Sequence, residues 1–520
     1  MAKQAVSSTD DRAQCAAGAS NECPPAATPD ACEQQGAAKN AEHSENRWKA
    51  TVLAGCAMAV VAAALTVALQ RPSHNTRQGP PPAAPNIIDR RDLSEAAFDP
   101  EDIIAMSGPV LLSSKQLESI WPAVSERLSP ASLTKRKSLK EQIVHDVRIH
   151  DDAGNVFVPA TTKRGQVPHR LAPEAEYRYE NFTVGELITQ MREPLPGRYM
   201  QASLPVQNTA IEKWTLDLED ALFVNDTQEA ASMNMPRFAS TTVFWISQPG
   251  SVSNLHYDRS HNFYTVVSGA KTVTLVPPSE WPFVYLYPWL HPSYHQSQVH
   301  HPENLSSTAD QFPSYREAQN ISVTLRKGDA LYIPPYWMHR IETLGRSMDL
   351  DTEDDDAAAD LDEIAVALSV ISPSRDEMFY SDAYWKLKPF SEDWDAKLRV
   401  IAMHQFLDML FELLAKEMHG ETATEFIQRA LKRSRYSQEH ITVPAKRMAV
   451  PQARECFDSS RITDPDTLAI FKAVAVNGTQ SLKELSSAHV LSISLANLIE
   501  EMFRFALGEY NMAAHLLACY

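Results

Sequence analysis

Short apolar runs punctuated by glycine and proline dominate the middle of the chain. Thr241–Ser247 (TTVFWIS), Asn262–Val267, Lys271–Val276, Ser322–Leu325, Ala330–Ile333 and Ile364–Ile371 are rich in β-branched and aromatic residues. They are bounded by turn signals at Gly250, Ser268-Gly269, Pro277-Pro278, Gly328-Asp329 and Pro334-Pro335, which marks each as a strand. Many short strands of this kind predict a mainly β domain, a sandwich or a barrel. Upstream, Asn155–Pro159 and Glu180–Val184 read as strand segments, and Thr183 with Glu186 forms a capping box opening a short helix. After Trp394 the period changes. Val400, Met403, Leu407, Leu410, Phe411 and Leu414 recur at helical spacing up to Gly420, and Leu491, Leu495, Leu498, Met502 and Phe505 form a second stripe. The stripes either pack on each other and on the β domain or build a homodimer interface.

The N-terminal part has a different pattern. Residues 1–46 carry few large apolar side chains and read as a disordered tail. Ala50 to Leu69 is uncharged over twenty residues, long enough to cross a hydrocarbon core of about 30 Å. We read it as one transmembrane helix. Residues 70–91 form a proline-rich linker, 92–390 the main folded domain and 391–520 a C-terminal helical region. Basic residues flank the apolar run on both sides (Arg47, Lys49, Arg71, Arg77), so they do not orient it. Five sequons, at Asn181, Asn225, Asn304, Asn320 and Asn477, all follow it. They favour a lumenal folded domain in an endomembrane, with a cytosol-facing one as the alternative.

The net charge of -18 leaves no basic stripe for nucleic acid. Much of the excess lies in the acidic insertion 349–363, which reads as a solvated hairpin loop. No Cys-x-x-Cys spacing exists for structural zinc, and a Cys456–Cys519 disulfide stays open.

Two motifs carry chemistry. Ser253-Asn-Leu-His256-Tyr-Asp258 puts a histidine and an aspartate two residues apart, hence on one face of a strand. Leu331-Tyr-Ile-Pro-Pro-Tyr-Trp-Met-His339 supplies a second histidine, brought close by sheet pairing. Two histidines and one carboxylate occupy one face of an octahedral ion and leave the opposite positions open, the ligand set of a non-haem iron oxygenase. His261, His291, His295, His300 and His301 read as structural or surface histidines, with a second metal at His291 and His295 the lesser alternative.

With Lys271 and the Gly328-Asp-Ala-Leu-Tyr-Ile-Pro segment in the same order, these residues resemble the JmjC, or cupin-like, Fe(II)/2-oxoglutarate oxygenases. Within that family the likeness is nearest to its asparaginyl hydroxylases. The resemblance implies a double-stranded β-helix (jelly-roll) core with flanking helices. It implies Fe(II) at His256, Asp258 and His339, with 2-oxoglutarate and dioxygen as cosubstrates. Lys271, Tyr199 and Ser253 would hold the far carboxylate of 2-oxoglutarate, and Asn262 would point at it. Ser369 stands where relatives carry an asparagine. Gln201 and Gln296 would line the substrate side. The implied reaction is hydroxylation of a protein or peptide side chain. N-methyl demethylation by the same triad and a non-catalytic metal-binding cupin module are the alternatives.

Overall fold

The computed structural model describes residues 89–91, 103–112, 127–151, 154–158, 178–192, 198–206, 209, 241–289, 291–303, 310–344, 364–387, 390–391, 393–437, 461–508, 512, 515–516 and 519–520. All fall within the unit Ala83–Tyr520. The polar tail, the apolar run 50–69 and the acidic insertion lie outside the described residues. Among the described residues, no helix is long and apolar enough to cross a membrane.

Fourteen strands are introduced here in chain order: β1 (Asp89–Arg91), β2 (Val110–Leu112), β3 (Ile143–His150), β4 (Val156–Phe157), β5 (Arg178–Thr183), β6 (Tyr199–Pro205), β7 (Thr241–Ser247), β8 (Val252–Tyr257), β9 (His261–Ser268), β10 (Lys271–Val276), β11 (Ile321–Leu325), β12 (Ala330–Ile333), β13 (Met338–Thr343) and β14 (Ala365–Ser372). They form two facing sheets, one ordered β1-β2-β12-β9-β14-β7-β6-β3-β5 and the other β11-β10-β13-β8-β4. The pairings are antiparallel except β1 with β2 and β4 with β8. From β7 to β10 successive strands alternate between the sheets, and β12 to β14 do so again. The chain therefore winds around a shared interior, the jelly roll that the sequence predicts.

Two apolar layers hold this sandwich. Between the sheets, Val273, Leu275, Val323 and Leu325 meet Tyr264, Val266, Leu331 and Ile333. On the outer face of the larger sheet, helices α1 (Pro130–Lys135), α2 (Lys137–Lys140) and α3 (Val184–Arg192) cover Val147, Ile149, Phe244 and Ile246 with Leu133, Leu139, Leu187 and Ile188. The capping box at α3 forms as expected. Thr183 N–H donates to Glu186 Oε2 at 2.9 Å and Glu186 N–H to Thr183 Oγ1 at 3.2 Å. These bonds hold the Glu186 carboxyl below its ordinary pKa.

C-terminal helices α4 (Arg375–Lys386), α5 (Ala396–Leu413), α6 (Ala423–Phe426, continuing as a π-helix over Ile427–Arg435), α7 (Pro465–Lys483) and α8 (Ala488–Leu507) back the smaller sheet. Met403, Leu407, Leu410, Leu491, Leu495 and Leu498 share one core with Leu255, Tyr257, Val276 and Met338. Both helical stripes are thus buried inside the chain. The face considered for a homodimer is already occupied. Cys519 is disulfide-bonded, and Cys456 lies outside the described residues.

One ion pair ties these helices to the sandwich. Arg435 Nη1 donates to Glu500 Oε1 at 2.6 Å, with both side chains fully buried. Glu500 Oε2 accepts from Tyr436 Oη at 2.8 Å and from the Trp289 N–H at 2.7 Å. Trp289 belongs to the β10–β11 connection, whose Ser297 N–H donates to the Leu255 carbonyl of β8 at 2.7 Å. Glu500→Gln removes the one charge that, among the described residues, pairs with a buried guanidinium, and we expect a loss of about 3–5 kcal/mol in unfolding free energy by urea titration. A loss below about 1 kcal/mol would mean that the pair behaves as a solvated surface pair.

Candidate metal and cosubstrate site

His256 on β8 stands directly opposite His339 on β13 in the antiparallel register. Their rings lie 4.2 Å apart between centroids. Asp258 follows just past the end of β8. One ligand atom from each of the three residues falls within 4.8 Å of the others, and His339 Nε2 is 3.8 Å from Asp258 Oδ2. This is the only such group of metal-ligating side chains among the described residues.

The backbone fixes both imidazoles in the same way. His256 Nδ1 bonds to the Asn254 carbonyl at 2.7 Å, and His339 Nδ1 to the Trp337 carbonyl at 3.1 Å. A carbonyl only accepts, so each Nδ1 carries the hydrogen and each Nε2 keeps its lone pair for the shared point. Burial, with the His256 imidazole beside it, pushes the His339 imidazole down to about 4, so it stays a neutral ligand through the physiological range. The turn before β13 positions Asp258. Tyr336, at φ 63°, donates its N–H to the Asp258 carbonyl at 2.7 Å.

The three side chains open into a cavity between the sheets. At its other end lies Lys271, 2% exposed. Its Nζ donates to Ser247 Oγ at 2.6 Å and to Thr343 Oγ1 at 3.3 Å. Burial without a neighbouring carboxylate pushes the ammonium down to about 7. In register Lys271 pairs with Thr343, four residues beyond His339, roughly 13 Å along the strand. That gap is one a lysine side chain and a five-carbon dicarboxylate can share.

The wall between the two ends is biased toward donors. Lys271 and the Trp245 indole have no acceptor, and they donate to Ser247 and to Ser369 (3.0 Å). Gln201 Nε2 donates to Ser253 Oγ at 2.7 Å. The Ser253 and Ser369 hydroxyls each accept from a neighbour and so keep their own hydrogen to give, while Ser247 Oγ also shares a hydrogen bond with Thr343 Oγ1 at 2.8 Å. Asn262 Oδ1 is buried without a hydrogen-bond partner among the described residues. A donor-rich, dry cavity holding one buried cation fits a dicarboxylate, and the His–His–Asp set fits Fe(II).

Of the residues singled out from sequence, His256, Asp258, His339, Lys271, Ser253, Asn262, Ser369 and Gln201 line this cavity. Tyr199 does not. Its ring packs on Gly250, where an added Cβ would lie 2.7 Å from Tyr199 Cε1. Gln296 is buried outside the cavity and bridges to His256 through the backbone. Lys271 is not on the strand next to His256, because β13 lies between β10 and β8. The other histidines have ordinary surroundings: His261 bonds Tyr332 Oη at 2.9 Å, and His291 stacks on Tyr287 at 4.0 Å. Sequence reasoning missed Arg148, Trp245, Ser247 and Thr343. Alternation along β7 is the signal for Trp245 and Ser247, but it needs the sheet's inner face to be known.

The family model for the cupin-like domain matches residues 95–368, more than half of the chain. The chain belongs to the cupin-like domain family. It is 33% identical over 155 residues to a lysine-specific demethylase of Arabidopsis thaliana, covering 28% of this chain and 26% of that protein. It is 28% identical over 132 residues to a bifunctional peptidase and (3S)-lysyl hydroxylase of Homo sapiens, covering 22% and 40%. A tRNA wybutosine-synthesizing protein of Mus musculus is 34% identical over 101 residues, covering 19% and 30%. The matches thus span less than half the length of each of these relatives.

The site makes a pH-dependent prediction. A carboxylate arriving at Lys271 favours its charged form, so 2-oxoglutarate binding should take up a proton between about pH 7 and the ordinary lysine value of 10.5. Affinity should fall as pH rises through that window. In the empty chain the folded form binds fewer protons than the unfolded one there, so stability should rise with pH from this group. Titration calorimetry in buffers of different ionisation heat, at about pH 8.5, reads the uptake. Lys271→Met should abolish it; uptake persisting in that variant would assign the proton to another group.

Proposed function

We propose that this chain is an Fe(II)- and 2-oxoglutarate-dependent oxygenase that hydroxylates a protein side chain. The observation that carries the proposal is one cavity with a three-ligand set at one end and a buried lysine lacking an acid at the other. When bound, iron would supply the place for dioxygen, which is the oxidant, and 2-oxoglutarate would supply two of the electrons that reduce it as it becomes succinate and carbon dioxide. The chain's residues bind and orient. His256, Asp258 and His339 take one face of the ion, and Lys271 with the Ser247 and Thr343 hydroxyls takes the far carboxylate. Ser253, Ser369 and Asn262 line the path between them. Ile341, Ile371 and Tyr264 keep that path dry, which strengthens each polar contact. The names of the Arabidopsis and human relatives support a protein substrate. The likeness to asparaginyl hydroxylases rests on the sequence motifs, and the acidic net charge weighs against an RNA substrate.

With Fe(II), the full chain should convert 2-oxoglutarate to succinate. Peptides gaining one oxygen would identify hydroxylation, and released formaldehyde demethylation. His339→Ala should lower turnover by about two orders of magnitude or more, since even an outer-shell change costs 10–100-fold. Unchanged 2-oxoglutarate with metal shown to be bound overturns the proposal.

A further inference from the structure

We propose that Arg148 is the specificity-determining residue of this cavity and that it takes a carboxylate on the substrate peptide, an aspartate or glutamate close to the side chain being oxidised. The proposal rests on the oxygenase reading above and names its substrate class.

The backbone places Arg148 deliberately. Val144 faces the outer layer under α1 to α3, and so do Val147 and Ile149. A regular strand cannot put residue 144 on the same face as 147 and 149. An extra residue sits between Val144 and Val147 against β5, with Asp146 at φ 56° and its N–H donating to Asn181 Oδ1 at 3.0 Å. This bulge reverses the parity and turns Arg148 into the cavity. Without it, Arg148 would point into the apolar layer beneath the helices.

Arg148 is then left with little to bind. Its one hydrogen bond among the described residues runs from Nη1 to Gln201 Oε1, at a long 3.4 Å. Its Nε is buried and has no acceptor there. Asp151, just past the end of the strand, is taken by Arg178 and Arg198. A charge count shows what is missing. Two positive charges on iron are matched by Asp258 and the near carboxylate of 2-oxoglutarate, and charged Lys271 by the far carboxylate. Among the described residues, Arg148 is the remaining cation facing the cavity, and neither cosubstrate carboxylate is left for it. A planar guanidinium with free donors matches a carboxylate in a bidentate fork. Gln201 lies between the Arg148 and Ser253 side chains, so an acid bound at Arg148 would sit beside the cosubstrate path.

The test uses the full chain with Fe(II), 2-oxoglutarate and degenerate peptide pools in which one position is fixed as Asp or Glu, against pools with Asn or Gln there. Turnover and direct binding by fluorescence anisotropy are both read, so absence of turnover with every pool tells against the oxygenase reading while binding still decides this one. Wild type should prefer the acidic pools by about tenfold or more, as expected for a charge-assisted hydrogen bond. Arg148→Gln should erase the preference, Arg148→Lys restore part of it, and Arg148→Glu shift it to pools with Lys fixed, a gain that misfolding cannot produce. The affinity for 2-oxoglutarate alone, measured with Mn(II), separates the two possible sources of the carboxylate. A marked loss in Arg148→Gln would assign Arg148 to the cosubstrate and overturn the proposal. So would equal binding of acidic and amide pools by wild type, or a preference that survives in Arg148→Gln.

Discussion

The site depends on one register: β8 against β13, with His256 facing His339. Side chains on a strand alternate with period two, so a slip of one residue would send one imidazole outward and destroy the ligand set. Several bonds hold that register from outside the pair. Tyr336 grips the Asp258 carbonyl, Thr343 N–H donates to the Ser251 carbonyl at 2.9 Å, and Ser297 N–H holds Leu255. The same strand pairing orients the rings, since the Asn254 and Trp337 carbonyls that set their tautomers lie two residues before each histidine.

The second constraint is a charge kept dry. Lys271 is buried, and among the described residues only hydroxyls accept its hydrogen bonds. Such a group costs stability in its ionised form, and the fold responds by letting it lose the proton. The cavity therefore changes its electrostatic state when an anion enters at Lys271, while the other end offers the His339 imidazole, held neutral by burial, to a cation. The two ends take different groups, which fixes the direction in which an unsymmetrical dicarboxylate lies between them.

Much of this was legible in the sequence, for identifiable reasons. The alternating β-branched runs and their turns marked the sandwich because period two survives in short segments. His256, Asp258 and His339 were legible because strand geometry dictates the two-residue spacing. What sequence could not give was parity after an irregularity. The bulge near Asp146 carries no glycine and no proline, so nothing announced that Arg148 faces inward. Tyr199 failed for a related reason: it shares parity with Gln201, yet Gly250 opens a place for its ring away from the cavity. Trp245 and Ser247 needed the pairing of β7 with β6 and β14 before their common face had a meaning.

The change from strand to helical periodicity draws a boundary near residue 390. A buried ion pair crosses it. Glu500 reaches Trp289, the β10–β11 connection reaches Leu255, and Leu255 is the neighbour of His256. The helices are thus a splint on the back of β8, applied more than two hundred residues later in the chain. During synthesis the ligand-bearing strand is made long before its splint exists. A chain stopped before α8 would carry every side chain of the candidate site and lack the part that holds them still.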